Sequence, residues 1–315
     1  MSVSRWMLVG LVGLLIVGCV SPTSGPSPPG QEATPTAAPT RTSTPTGAAR
    51  ATVQPPTLTP APTRTRPAPT ATPTEAVGGV TITITYDNNE YDERLETAWG
   101  FSCLVEGMEE TILFDTGGDG ALLLRNMRTL GIDPGIVDTV VISHIHGDHV
   151  GGLSSFLEES PAVTVYLPQS FPEDIKDATN EAGAEMIEVD GPVEICEHVH
   201  STGELGDWIK EQSLVIETSQ GLVVITGCAH PGVVNIVRQA KELVEGEVHL
   251  VLGGFHLGGA SEVKIAGIVE DFQQLGVQKV APCHCSGDVA RRLFKEAYGE
   301  DFISAGVGSR LKIRE

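Results

Sequence analysis

Four side chains that commonly bind metals lie within six positions of the chain, directly after a short apolar segment. The segment SHIHGDHVGG, residues 143–152, contains His144, His146, Asp148 and His149. The stretch before it, VDTVVIS at 137–143, is typical of a buried strand. Imidazole rings this close together repel one another when protonated and need partners when buried. The cluster therefore predicts a metal site at a strand end, and the remaining chain has to fold so that further ligands reach it.

The spacing inside the cluster predicts two neighbouring sites. His144, His146 and Asp148 are two positions apart, so in an extended strand or a tight loop their side chains fall on one side. His149 follows directly and has to point elsewhere. We therefore expect His144 and His146 at one metal and Asp148 and His149 at a neighbour. Imidazole and carboxylate ligands suit divalent zinc, and also manganese or iron.

Other apolar strands also end in a polar side chain. Asp115 follows one of them, and His230, His256 and His284 follow three more. Because ligands gather beyond strand ends in open sheets, we expect these residues to converge on the cluster. Strand runs with interspersed helices favour two layers of sheet covered by helices, an α/β fold to which each half of the domain contributes a sheet. The segment 191–203, GPVEICEHVHSTG, is predicted as one of these strands.

The N-terminal part of the chain has a different composition. Residues 1–20 combine one early cation with a short apolar run, as secretory signal peptides do, and Ile16-Val17-Gly18-Cys19 resembles the bacterial lipobox. This predicts lipidation at Cys19, with an uncleaved anchor as the alternative. Residues 21–77 hold 14 of the chain's 21 prolines and predict a disordered, extended stalk. Residues 78–315 are then an extracytoplasmic, membrane-anchored domain.

Charge and cysteine content narrow the function. Residues 78–315 hold 15 Lys and Arg against 39 Asp and Glu, a net formal charge of −24 that repels nucleic acids and favours a small-molecule substrate. Five cysteines remain after Cys19, an odd number from which no disulfide pairing can be deduced. Cys228 is best interpreted as a buried thiol, with a disulfide or metal ligation as alternatives. The oligomeric state is not predicted.

Four motifs in order resemble those of the metallo-β-lactamase superfamily. The cluster His144-x-His146-x-Asp148-His149 is similar to its metal motif, Phe114-Asp115-Thr116-Gly117 to its first motif, and GCAHPG at 227–232 and CHC at 283–285 to its later ones. The strings GCAHPG, GGFHL and CHCSG are most similar to the subgroup named for 7,8-dihydropterin-6-methyl-4-(β-D-ribofuranosyl)aminobenzene-5'-phosphate synthase. The resemblance implies an αββα sandwich with one or two metal ions at one edge.

The resemblance also implies roles for individual residues. His144, His146 and His230 would hold one metal, and Asp148, His149 and His284 the other. Asp115 would accept a hydrogen bond that orients a ligand or the cluster loop. Most members place a metal-bridging aspartate between the third and last motifs, whereas this chain has Gly253-Gly254-Phe255-His256 there. His256 then either takes over as a terminal ligand or faces the substrate.

These residues favour a hydrolase that uses a metal-activated water on a small ester, lactone, amide or phosphoester. Asp148 would orient the water and take its proton, and His256 would donate to the leaving group or the oxyanion. The alternatives are the pterin-related synthase reaction, an iron-dependent redox reaction, and metal binding without catalysis. The predicted location argues against the synthase, because pterin precursors are cytoplasmic.

Overall fold

A computed structural model describes residues 79–314 of the chain. The predicted signal segment 1–20, with Cys19, and the predicted stalk 21–77 lie outside the described residues. Within 79–314, no helix has both the length and the apolar character that a membrane crossing requires.

The first sheet contains seven strands, mostly from the N-terminal half of the domain. They are β1 (Val80–Asp87), β2 (Phe101–Glu106), β3 (Ile112–Phe114), β4 (Thr139–Val141), β5 (Thr164–Pro168), β6 (Glu185–Val189) and β13 (Arg310–Ile313). Their order across the sheet is β13-β1-β2-β3-β4-β5-β6, so the last strand of the chain returns to pair with the first. Strands β3 to β6 run parallel, and therefore their carboxyl ends lie at the same edge.

The second sheet contains six strands from the C-terminal half. They are β7 (Val193–Cys196), β8 (Val199–Ser201), β9 (Leu214–Thr218), β10 (Gly221–Thr226), β11 (Val248–Gly254) and β12 (Lys279–Cys283). Their order is β12-β11-β10-β9-β8-β7, and β10, β11 and β12 are parallel. The predicted single strand at 191–203 is wrong: it is a hairpin of β7 and β8, which reverses at Glu197 and His198, where His198 has a φ of 67°.

Helices cover the outer face of each sheet. They are α1 (Gly120–Thr129), α2 (Gly147–Val150), α3 (Leu153–Glu159), α4 (Glu173–Glu181), α5 (Val233–Leu243), α6 (Glu262–Gln274) and α7 (Asp288–Tyr298). This arrangement produces three apolar cores. One lies between the two sheets, one lies between the first sheet and helices α1 and α3, and one lies between the second sheet and helices α5, α6 and α7. The predicted two-sheet α/β sandwich is confirmed.

Both sheets present the carboxyl ends of parallel strands to one edge of the sandwich. Asp115 follows β3, and His144 follows β4 after Ile142 and Ser143. On the second sheet, Cys228 and His230 follow β10, His256 follows β11, and His284 follows β12. All the strand-end residues that the sequence predicts as ligands or ligand partners therefore lie at this one edge.

Candidate metal centre

Three histidines from two sheets form what we call the triple-histidine group: His144, His146 and His230. One nitrogen from each ring lies within 4.8 Å of the others. His146 Nδ1 is 3.1 Å from both His144 Nε2 and His230 Nε2. His144 is buried, whereas His146 and His230 are half-buried and lie nearer the opening. The structure thus brings together the three residues predicted for one metal.

A second set of donors, the mixed-donor group, lies beside the first and consists of Asp148, His149, Cys228 and His284. His149 Nε2 and His284 Nε2 are 3.2 Å apart, and Cys228 Sγ is 3.3 Å from each of them. Asp148 Oδ2 lies 3.4 Å from His284 Nε2 and 3.7 Å from His149 Nε2. Asp148 and His149 belong to the short helix α2 rather than to an extended segment, and one helical turn is what directs both side chains into this group.

Asp115 and Ser143 orient one histidine of each group. Asp115 Oδ2 accepts hydrogen bonds from His149 Nδ1 (2.6 Å) and from the Ser143 hydroxyl (2.7 Å), and its Oδ1 accepts from the Ser143 amide (2.6 Å). Since the serine proton goes to the carboxylate, Ser143 Oγ accepts from His144 Nδ1 at 2.9 Å. In the neutral form of either histidine, an unprotonated Nε2 therefore faces inward. All of these groups are buried, and Ser143 is a positioning residue that sequence reasoning missed.

Asn88 orients the fourth ring in the same way. His284 Nδ1 donates to Asn88 Oδ1 at 2.9 Å, and Asn88 Nδ2 donates back to the His284 carbonyl at 3.2 Å. The His284 amide donates to Asp87 Oδ2 at 3.1 Å. The Nε2 lone pair of His284 consequently faces that of His149.

Two ring nitrogens that face each other can share a proton or bind a metal ion, and the donor spacing fits a metal ion. Ligand nitrogens about 2.0–2.1 Å from a tetrahedral zinc lie about 3.3–3.4 Å apart, close to the 3.2 Å between His149 Nε2 and His284 Nε2. Burial lowers the pKa of His149, but the Asp115 carboxylate outweighs it and holds that pKa above its usual range. The position thus favours positive charge, and the residues present fit a divalent metal.

Burial keeps two members of the triple-histidine group, His144 and His230, neutral, as metal ligands have to be. It lowers the pKa of His144 far below the usual range, with the neighbouring His149 and His230 acting in the same direction. It also lowers the pKa of His230 to about 4, helped by His256 and His146. The lone pairs of these two rings are therefore available at neutral pH.

Glu211, which sequence reasoning also missed, holds the loop that carries Cys228 and His230. Its side chain is buried, with Oε1 accepting from the amides of Cys228 (2.9 Å) and Ala229 (2.8 Å) and Oε2 from the amide of His230 (2.8 Å). Burial raises the pKa of Glu211 to about 7 in spite of these bonds. Glu211 lies 19 positions before His230, in a segment without periodicity. The sequence alone therefore does not indicate that Glu211 binds the amides of this loop.

The backbone of the site is strained. Of the five described non-glycine residues with positive φ, four follow strands at this edge: Asp115 (58°), Ala229 (61°), His256 (52°) and His284 (47°). A left-handed conformation costs roughly 1–2 kcal/mol per residue. The fold maintains these turns because they direct side chains back towards the strand ends.

His256 lies at the exposed side of the centre. Its ring centroid is 4.4 Å from that of His230, and it forms a third group of converging donors with Cys228 and His230. The geometry is compatible with both roles predicted for it, terminal ligand and substrate contact.

Comparisons with known proteins agree with this geometry. Residues 100–231 match the family model of the metallo-β-lactamase superfamily. A solved structure described as Tm1679, a metal-dependent hydrolase of the β-lactamase superfamily, is 30% identical; the match covers 75% of this chain and all of that one, with a TM-score of 0.63. The metallo-β-lactamase fold protein YhfI from Bacillus subtilis has a TM-score of 0.58 at 13% identity and covers 74% of this chain. The chain belongs to the metallo-β-lactamase superfamily.

A named relative is similar over nearly its whole length. The 7,8-dihydropterin-6-methyl-4-(β-D-ribofuranosyl)-aminobenzene-5'-phosphate synthase of Methanocaldococcus jannaschii is 26% identical, and the match covers 73% of this chain and 95% of that protein. The subgroup suggested by the sequence strings is therefore found among the chain's relatives.

Trp99 gives this site an optical reporter. Its side chain is 60% exposed, and its ring centroid is 4.9 Å from that of His284. We expect zinc added to the metal-free chain to change tryptophan fluorescence, because ligation at His284 alters the charge beside the indole. The change should vanish in Trp99→Phe and remain in the control Trp208→Phe, whose side chain is 94% exposed. A zinc response that survives Trp99→Phe would place the binding event elsewhere.

Proposed function

We propose that the described domain is a metal-dependent enzyme. The observation that carries this proposal is the convergence of inward-facing lone pairs from both sheets, held in place by Asp115, Ser143 and Asn88. The triple-histidine group would hold one divalent ion, and the mixed-donor group a second. When bound, such ions supply Lewis acidity and a water that ionises near neutral pH. Zinc fits the donor set best, with manganese and iron as alternatives.

The side chains at the opening have separate roles in this proposal. Asp148, whose side chain is 22% exposed, faces the opening. Burial raises the pKa of Asp148, but its contact with His284 and the charge of His149 outweigh burial and lower it. The ionised carboxylate can therefore hold a cation and orient an attacking group, and its low pKa makes it a weak acceptor for the proton of that group. His256 is exposed beside His230 and is suited to donate to a leaving group or an oxyanion.

We place synthase chemistry first among the reactions that this centre supports. The relative with that name matches over 95% of its own length. The exposed indole of Trp99 beside His284 adds support, because a planar aromatic substrate such as a pterin stacks on such a surface. In this proposal the site joins the two parts of the compound in the relative's name, a dihydropterin that carries a phosphate-type leaving group on its 6-methyl carbon and a ribofuranosyl-aminobenzene phosphate. The amino nitrogen forms a bond to that carbon as the bond to the leaving group breaks, and the nitrogen gives up a proton.

Hydrolysis of a small ester, lactone, amide or phosphoester is the second candidate. It is supported by the 30% identical solved structure described as a metal-dependent hydrolase. It also agrees with the location that we propose from residues 1–77, a lipid-anchored domain outside the cytoplasm, where pterin precursors are not expected. In both reactions the partner is a small molecule rather than a nucleic acid.

Product analysis of the zinc-loaded, full-length chain separates the two reactions. Coupled pterin product from a ribofuranosyl-aminobenzene phosphate and a dihydropterin with a phosphate-type leaving group on its 6-methyl carbon would support the synthase, whereas turnover only in a panel of esters, lactones, amides and phosphoesters would support hydrolysis. In either case, His146→Ala should lower kcat/KM by about 100-fold or more, because several kcal/mol of transition-state stabilisation is lost.

The matched control is His249→Ala. His249 is buried at the opposite end of β11, where Nδ1 pairs with the Gln278 side chain at 3.0 Å, so its loss leaves the centre intact. Equal activity of His146→Ala and the wild type, with both folded, would contradict a metal-dependent reaction at this site.

A further inference from the structure

The strand end at Gly254 has no room for a side chain. A Cβ built there would overlap the carbonyl oxygen of Gly227 and lie 2.7 Å from Cys285 Sγ. It would also be 3.2 Å from the Cα of Cys228. The space where β11 could have presented a carboxylate is therefore filled by the β10 loop and by two cysteines.

Cys228 points its sulfur into the space left between the donors. It belongs to two of the three groups of converging donors among residues 79–314, one with Asp148, His149 and His284 and one with His230 and His256. Its sulfur is 3.3 Å from both His149 Nε2 and His284 Nε2. The hydrogen bonds of His149 to Asp115 and of His284 to Asn88 turn both of these ring nitrogens towards the sulfur, so three donor atoms surround one point.

The surroundings of Cys228 hold it in this position. The Cys228 amide donates to the Glu211 side chain, and the Cys228 carbonyl accepts from Cys285 Sγ at 3.5 Å. The following residue, Ala229, has a φ of 61°. The described cysteines are all free thiols, so Cys228 is available as a ligand. A thiolate and an imidazole nitrogen on one tetrahedral zinc lie about 3.5 Å apart for bonds of about 2.3 and 2.0–2.1 Å, which agrees with the observed spacing.

We propose that Cys228 is a metal ligand, as a thiolate that completes a four-donor site with Asp148, His149 and His284. This inference rests on the proposed metal-dependent function and deepens it. Four protein donors close a tetrahedral site, whereas the triple-histidine group leaves one position open. The two ions then have different roles, because the mixed-donor ion is closed by protein donors and the triple-histidine ion is open to an exogenous molecule.

A thiolate in the set also determines which metals bind. Soft sulfur ligands favour zinc, iron and cobalt, whereas manganese and magnesium favour oxygen ligands. The mixed-donor site should therefore select zinc or iron over manganese. Replacing the sulfur by a carboxylate should shift that preference towards manganese.

Cobalt substitution tests this directly, because a thiolate ligand produces a near-ultraviolet sulfur-to-cobalt charge-transfer band that imidazole and carboxylate ligands lack. We expect the band in the cobalt-loaded, full-length chain and its loss in Cys228→Ser. In that variant the mixed-donor site keeps Asp148, His149 and His284 and should bind its cobalt more weakly than in the wild type, because the thiolate is lost. Cys228→Asp should restore four donors and tighter binding without restoring the band.

Cys285→Ser is the matched control, because Cys285 is a buried thiol in the same cluster that lies outside the mixed-donor group. It should keep the band. A band that survives Cys228→Ser and disappears in Cys285→Ser would assign the thiolate to Cys285 and overturn the proposal. Cobalt binding to the wild type without any charge-transfer band would overturn the Cys228 inference and leave the metal-dependent function standing. If the wild type binds no cobalt, both the Cys228 inference and the proposed metal-dependent function are contradicted.

Discussion

Replacing Asp115 by asparagine is expected to weaken metal binding at both sites at once, by about 10- to 100-fold at each. The carboxylate accepts from His149 and from Ser143, which in turn accepts from His144, so one side chain orients a ligand of each ion. If the amide oxygen takes the Oδ2 position it can still accept from both His149 and the Ser143 hydroxyl, but the NH2 group then faces the Ser143 amide, which loses its acceptor. In the opposite orientation the NH2 group faces His149 and the Ser143 hydroxyl, so either orientation disturbs the bonds that orient the two ligands. Zinc titration with elemental analysis of the loaded chain measures both affinities.

Asp133→Asn is the control for this substitution. Asp133 is an aspartate that accepts a backbone bond from Gly135 at an exposed turn far from the centre, so its loss should leave zinc affinity unchanged. If Asp115→Asn weakens zinc binding only at the mixed-donor group, the hydrogen bond from Ser143 to Asp115 does not control how Ser143 orients His144.

Glu211→Gln is expected to lower the free energy of unfolding by about 1–3 kcal/mol and to weaken zinc binding at His230. The carboxylate accepts three buried amide hydrogens from consecutive residues. Glutamine places an NH2 group against at least one of them and leaves it unpaired, which costs about 1–3 kcal/mol. Urea unfolding of the metal-free chain measures the stability, and calorimetric zinc titration measures the affinity.

Glu109→Gln makes a matched comparison, because Glu109 is an exposed glutamate that accepts a single backbone bond, from Glu197. It should unfold like the wild type. If Glu211→Gln retains both the wild-type unfolding midpoint and the zinc affinity, the carboxylate does not hold the loop.

Much of the fold follows from local patterns in the sequence. The alternation of apolar and polar residues in VTITITYD predicts a strand at 80–87, and this strand is β1 itself. The amphipathic pattern of VVNIVRQAKELV predicts a helix at 233–244, which differs from α5 by one residue at its end. The single strand predicted at 191–203 is wrong because apolar residues lie on both sides of Glu197 and His198, so the sequence pattern does not show the turn. A turn there needs a left-handed residue, and histidine at that position is not a recognisable turn signal.

The candidate site was predictable where ligands follow strands and was not where they depend on packing. Strand-end histidines can be identified because metal-binding side chains interrupt apolar patterns. Ser143 and Glu211 act through hydrogen bonds across the fold, over 28 positions in the case of Ser143 and Asp115. The placement of Cys228 depends on how closely the loops after β10 and β12 approach at Gly254, which is a three-dimensional property.

Each proposed ion takes ligands from both sheets. The triple-histidine group joins His144 and His146 on one side to His230 on the other, and the mixed-donor group joins α2 to the loops after β10 and β12. An ion held this way is a removable cross-link between the two halves of the domain. At a free concentration of 100 times its Kd, each ion would add about 2.7 kcal/mol to the stability of the native state. The survival of this protein against proteolysis would then follow the local metal supply, independently of any turnover.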